Sequence, residues 1–204
     1  MHITSKNQIE LFTTYVPKSA QKTLSENRAE VKKLMRKEAA QEILDAIGGI
    51  PTPGVFVDVV TNGQSNAGGF YEVIREKWGK VDQICLATWI INREYIDMLF
   101  ADLNSGKLGN LVFIISNRMS QLGKGHSPNF NRLKTLAQEN PKVKFRVANS
   151  HAKVFCLTNG SDFITVSGSG NWSDNPRIEN YSISNDCTRF DFHKSWMEEI
   201  ADAK

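Results

Sequence analysis

The residues best suited to chemistry fall in one C-terminal block: His151-Ala152-Lys153, then Gly168-Ser169-Gly170-Asn171, then Glu179-Asn180. An imidazole serves as nucleophile and proton carrier near neutral pH. An ammonium and a carboxamide stabilise negative charge developing on oxygen, and a carboxylate fixes the tautomer of a histidine that it touches. Small residues at 167 to 170 let phosphate oxygens approach the backbone N–H groups of Gly168 and its neighbours, while Ser169 and Asn171 add side-chain donors. These are the parts needed to break a phosphodiester. Singly they say little, because HxK is common on half-exposed strands and GSGN is a good turn sequence; their order and spacing within one block carry the reading.

The elements that must position this block follow from the hydrophobic pattern. Ala152 to Leu157 reads as a strand, Asn159-Gly160-Ser161 as a turn, and Asp162 to Ser167 as a returning strand that brings Gly168 to Asn171 back beside His151. On a strand, His151 and Lys153 project to the same face. Upstream, strand-like runs alternate with helical patterns. Val55 to Val60 precedes a helix through Phe70, Val73, Ile74 and Trp78; Ile84 to Ile90 precedes one through Ile96, Leu99, Phe100 and Leu103; Leu111 to Ile115 precedes one through Phe130, Leu133 and Leu136. Val143 to Val147, the hairpin, Tyr181 to Ser184 and a helix through Phe192, Trp196 and Ile200 complete the chain. The expected fold class is α/β, a mixed β-sheet flanked by helices with the site at one sheet end. Thr23 and Glu26 form a capping box for a helix carrying Val31, Leu34, Met35, Ile43, Leu44 and Ile47, which ends at Gly48-Gly49 before Pro51 and Pro53. Residues 1–50 are therefore expected to be an N-terminal helical extension, packed on the body or aiding dimerisation, and residues 51–204 the catalytic domain. The loop Thr61 to Gly69 fits neither the Walker nor the dinucleotide pattern and reads as an ordinary connection.

HxK, GSxN and a downstream Glu-Asn together resemble the signature of the phospholipase D superfamily, over residues 151 to 183. The order of elements from about residue 55 is compatible with that family's fold. The chain departs from the pattern at Thr158, where the family carries a largely structural Asp seven residues after the His. The resemblance implies a two-step displacement through a covalent phosphohistidine, with no metal and no cofactor. His151 would attack phosphorus, and a second histidine would protonate the leaving oxygen. Lys153 and Asn171 would stabilise the non-bridging oxygens with help from Ser169 and Gly168, and Glu179 or Asn180 would hold the other ring nitrogen of His151. Only one HxK is present, since the second residue after His2, His126 and His193 is Thr4, Pro128 and Ser195. Single-motif members of the family pair two copies, so the resemblance implies a homodimer with one composite site. His126, in Gly123-Lys124-Gly125-His126, is the internal competitor and reads as a solvated loop histidine.

Of the 204 residues 40% are hydrophobic, enough for one sizeable core. No apolar run approaches about 18 residues and no basic-then-apolar leader opens the chain, so a cytoplasmic protein without membrane insertion is expected. Cys85, Cys156 and Cys187 lack CxxC spacing and read as reduced thiols. Between Arg118 and Arg146 seven basic residues, including Lys134, Lys144 and Arg146, face a single acid, Glu139. Positive charge just upstream of the HxK fits a polyanion, so DNA or RNA is the expected substrate and partner, with Lys134, Lys144 and Arg146 lining its approach. A phospholipid phosphodiesterase or transphosphatidylase is the alternative enzyme. A catalytically weak nucleic-acid-binding module is the alternative outside that class, and Thr158 is the residue that favours it.

Overall fold

The computed structural model describes residues 28–122, 127–174 and 176–203. Thr23, Glu26, Lys124 and His126, singled out above, lie outside them. Five α-helices and seven strands are found among the described residues: α1 (Arg28–Ala46), β1 (Phe56–Thr61), α2 (Ala67–Trp78), β2 (Val81–Thr88), α3 (Arg93–Ser105), β3 (Leu108–Ser116), α4 (Ser127–Glu139), β4 (Val143–Ala148), β5 (Val154–Thr158), β6 (Phe163–Gly168), β7 (Glu179–Asn185) and α5 (Cys187–Asp202). A short 3₁₀ turn, Asn117–Gln121, follows β3.

The strands form one sheet in the order β1-β7-β6-β5-β2-β3-β4. β2, β3 and β4 run parallel, and every other pairing is antiparallel. The apolar runs in β2 and β3 are nearly continuous because helices cover both faces there. Ile84, Leu86, Leu111, Phe113, Phe155 and Leu157 pack into the larger core with α1 to α4, while the alternating Cys85, Ala87, Val112, Ile114, Val154 and Cys156 meet Phe190 and Met197 of α5. The fold is thus α/β, a mixed sheet flanked by helices, as expected. Cys85 and Cys156 are buried free thiols and Cys187 is exposed.

Helix α1 packs on the body. Ala40 and Leu44 are fully buried in the larger core. Gly69 of α2 makes the close approach possible, since a Cβ there would stand 2.8 Å from the Arg36 carbonyl oxygen. No helix among the described residues is long and apolar enough to cross a membrane.

Strand direction decides where the site lies. The pairings Thr88↔Ile115, Ser116↔Ala148, Ala87↔Val154, Val154↔Ser167, Gly168↔Tyr181 and Thr61↔Glu179 all fall at one end of the sheet. That end gathers the chain after β1, β2, β3, β4 and β6 and before β5 and β7. The opposite end holds the β5–β6 turn, where Thr158 Oγ1 accepts from Gly160 N at 3.0 Å and Asn159 Oδ1 accepts from Asp162 N at 2.8 Å. Thr158 therefore seats a turn a full strand away from His151. Most strand ends differ from the sequence reading by one to three residues, and two of these differences bear on the site. β5 begins at Val154, so His151 and Lys153 precede it, and β2 stops at Thr88, leaving Trp89 and Ile90 in the following loop.

Candidate active site

His151 and Lys153 occupy the link between β4 and β5, where strand alternation does not apply. They meet because the lysine side chain folds back along the link. Its Nζ lies 3.2 Å from His151 Nδ1 and 3.4 Å from Nε2, and it donates to the His151 carbonyl oxygen at 3.0 Å. An ammonium has only donors, and both ring nitrogens lie within its reach, so the tautomer of His151 decides which of them accepts. The Trp89 ring stands beside the pair, its centroid 5.1 Å from that of His151 and 5.9 Å from Lys153 Nζ. Partial burial lowers the pKa of Lys153 below the ordinary lysine value, and the Glu179 carboxylate works the other way. Glu179 is thus within electrostatic reach of the ammonium.

The second arm is built by close backbone approach. A Cβ at Gly168 would run into the Asn180 carbonyl oxygen, and one at Gly170 into the Tyr181 hydroxyl. The two glycines let the segment lie flat against β7. Ser169 N donates to Asn180 O at 3.0 Å, and Ser169 Oγ accepts from Asn180 N at 3.0 Å while donating to Glu179 Oε2. The hydroxyl's own proton is therefore committed to Glu179, a carboxylate only 4% exposed. Asn171 is buried as well. Its Oδ1 accepts from Ile90 N at 3.3 Å, with the Thr88 hydroxyl oxygen 3.4 Å away. With the oxygen end of the carboxamide so used, the NH₂ end is what Asn171 has to offer an anion.

The chain after Asn171 is anchored in depth. The Trp172 ring sits among Tyr71, Tyr95 and Phe155, at centroid distances of 5.6, 5.7 and 5.3 Å. Asn171 O accepts from Ala67 N at the start of α2, and Trp172 O from Asn92 N. Asn66 caps α2 by accepting from Gly69 N at 3.0 Å, accepts from Tyr95 Oη at 2.8 Å, and donates to Ser173 O at 3.4 Å. Burial pushes the Tyr95 hydroxyl up to about 12, so it remains a donor throughout the working range. Arg36 of α1 closes the arrangement through Asp174 at 2.7 Å and Glu94 at 3.0 Å. Burial works against its charge, but Tyr95, Asp174 and Glu94 outweigh it and raise its pKa.

A cleft of about 520 Å³ opens beside His151, lined by Trp89, Arg118, Gln121, Leu122, Asn149, Ser150 and His151. Among the described residues of the basic segment noted above, Arg118 is the one that reaches this lining. Lys134 is exposed on α4, while Lys144 and Arg146 alternate with Phe145 on β4 and face the α5 side, Lys144 being ion-paired with Asp202 at 2.7 Å. Among the described residues no three His, Cys, Asp or Glu side chains are gathered as a metal set. Sequence reasoning missed Trp89, Asn66 and Arg36. Asn66 carried a signal, an N-cap residue directly before a helical pattern; Arg36 carried none, because its partners lie about 60 and 140 residues away.

No protein-family model matches the chain, and no curated protein does. Among solved structures its fold is similar to that of Nuc from Salmonella typhimurium, a phospholipase D family member. The two share 14% identity and a TM-score of 0.51 over 72% of this chain and 93% of Nuc. NucT from Helicobacter pylori is similar to the same degree, with 13% identity and a TM-score of 0.50 over 72% of this chain and 96% of NucT.

Proposed function

We propose that this chain, whose fold is that of a phospholipase D family member, is a phosphodiesterase that hydrolyses nucleic acid through a covalent phosphohistidine on His151. The observation that carries the reading is the Lys153 ammonium folded onto the His151 ring, with Glu179 near enough to act on its charge. A chance HxK would have no reason to lie within electrostatic reach of a buried carboxylate.

The mechanism follows from what each group can do. The imidazole lone pair of His151 attacks phosphorus, the P–N bond forms, and the P–O bond to the leaving group breaks. Negative charge on the non-bridging oxygens is met by the Lys153 ammonium and the Asn171 NH₂. A second imidazole protonates the leaving oxygen, then takes a proton from water as that water attacks phosphorus and releases His151. Glu179, fixed by the Ser169 hydroxyl, serves the site as the carboxylate that balances its positive charge and orients the base. The second imidazole comes from another copy of the chain, so the working unit is a homodimer with a composite site. Arg118 at the cleft favours a polyanion over a lipid whose headgroup carries no net charge. The cytoplasm, where such polymers are made and degraded, is the compartment this reading implies.

Cleavage of single- and double-stranded DNA and RNA in excess chelator, with wild type beside His151→Ala, tests the reading. Chelator-resistant cleavage is expected for the wild type and a loss of about a thousandfold or more for the variant. Equal activity of the two would remove His151 as nucleophile. Turnover of phosphatidylcholine vesicles with none of any polymer would replace the nucleic-acid reading by the phospholipid one.

A further inference from the structure

We infer that Trp89 and Arg118 form a subsite that stacks one unpaired nucleobase of a single-stranded substrate next to the scissile phosphate. The inference rests on the nucleic-acid reading above and narrows it to single strands. Topology supplies the first support. The cleft is built from the loops after β2, β3 and β4, which bring Trp89, Arg118 and Asn149-Ser150-His151 to the carboxyl ends of three parallel strands. In open α/β sheets that is where ligands lodge.

Trp89 itself supplies the second. Cys85 to Thr88, directly before it, are buried, yet the largest side chain of the run belongs to neither apolar core and is left half-buried at the cleft. Its ring neighbour is His151, the proposed nucleophile. An indole face kept out of the core beside a reacting group is a stacking platform, and every base has a face to place on it. The cleft volume of about 520 Å³ lies within the range of small-ligand pockets and can hold one nucleotide.

Charge decides what lies on that face. A quaternary ammonium headgroup would also seek an indole. Here the positions beside the ring belong to Lys153, 5.9 Å from its centroid, and to Arg118, exposed at the same cleft with no acidic partner among the described residues. Two cations repel a third, whereas a flat neutral base flanked by phosphates fits both the ring and the charges. A base inside a duplex is already stacked on its neighbours and cannot lie on Trp89, so single strands are the preferred substrate.

The test uses four dinucleotide diesters with one phosphodiester each, carrying a base on both sides, on either side alone, or on neither. For wild type, loss of the base on one particular side should lower kcat/KM about tenfold, and loss on the other should matter less. In Trp89→Ala the larger difference should collapse to near one, and Trp89→Phe should restore part of it. A ratio is unaffected by any general loss of activity in the variants. Equal wild-type rates on all four diesters, or an unchanged ratio in Trp89→Ala, would overturn the subsite and leave the nucleic-acid reading standing. A wild type inert toward all four and toward single-stranded DNA and RNA would overturn both.

Discussion

At Lys153 a single ammonium touches both the ring and the carbonyl oxygen of His151, and its protonation state governs the charge available to phosphate oxygens. Burial disfavours that charge and Glu179 favours it, with burial the larger effect. The ammonium is therefore lost at a lower pH than in an ordinary lysine, and the alkaline limb of kcat/KM should lie on the acid side of 10.5. Glu179→Gln removes the favourable contribution and should move that limb further toward acid pH in whatever activity remains. A limb that stays fixed in Glu179→Gln would show that another group controls it. The motif residues were legible because their types and order are local in the sequence. Trp89 was not, because an indole at the end of an apolar run is indistinguishable from one more strand residue. The strand stops short of it because Thr88 Oγ1 donates to the Ile90 carbonyl at 3.0 Å, a side-chain bond that turns the chain out of the ladder.

The elements were legible as elements, and their partners were not. Helical and strand periods fixed which segments are α2 to α5 and β1 to β7 to within a few residues, since alternation reports which face is buried. It carries no record of neighbours. β1 pairs with β7, more than a hundred residues later, and α1 settles against α2 through the absent side chain of Gly69. The consequence of that docking is a latch. Arg36, 6% exposed, joins α1 to Asp174, three residues beyond Asn171, and to Glu94 at the start of α3. Arg36→Met should lower stability by about 2 kcal/mol in urea unfolding, less than for a fully enclosed pair because both carboxylates keep partial contact with water. Arg36→Lys should recover little, since only a guanidinium fork reaches both partners. If the latch also positions the Asn171 carboxamide, kcat of Arg36→Met should fall severalfold at temperatures where circular dichroism shows it fully folded. An unchanged kcat there would leave Arg36 as a stabilising residue alone.

For the molecule as a whole, charge counted along the chain and charge placed in space differ. Arg132 is spent on Asp97 and Lys144 on Asp202, while Arg118 remains at the cleft. Imidazoles show the same contrast. Of the two described histidines, His151 lies at the cleft, whereas His193 sits on α5, where its Nδ1 accepts from Trp196 Nε1 at 3.2 Å. α5 covers the opposite sheet face from α1 to α4, so His193 is no partner for His151 across the site. His151 is thus the one described histidine at the cleft, and on the composite-site proposal the second imidazole is the His151 of another chain. In such a composite site a mixed dimer of wild type and His151→Ala carries a single imidazole and should be inactive. Equal amounts allowed to exchange subunits at random leave about a quarter of all dimers fully wild type, so activity should settle at about half that of the same wild-type protein alone. Separate sites in each chain would leave it undiminished, since every wild-type subunit would keep its own complete machinery. Following chelator-resistant cleavage through the exchange, with sedimentation to verify that mixed dimers form, separates the two arrangements.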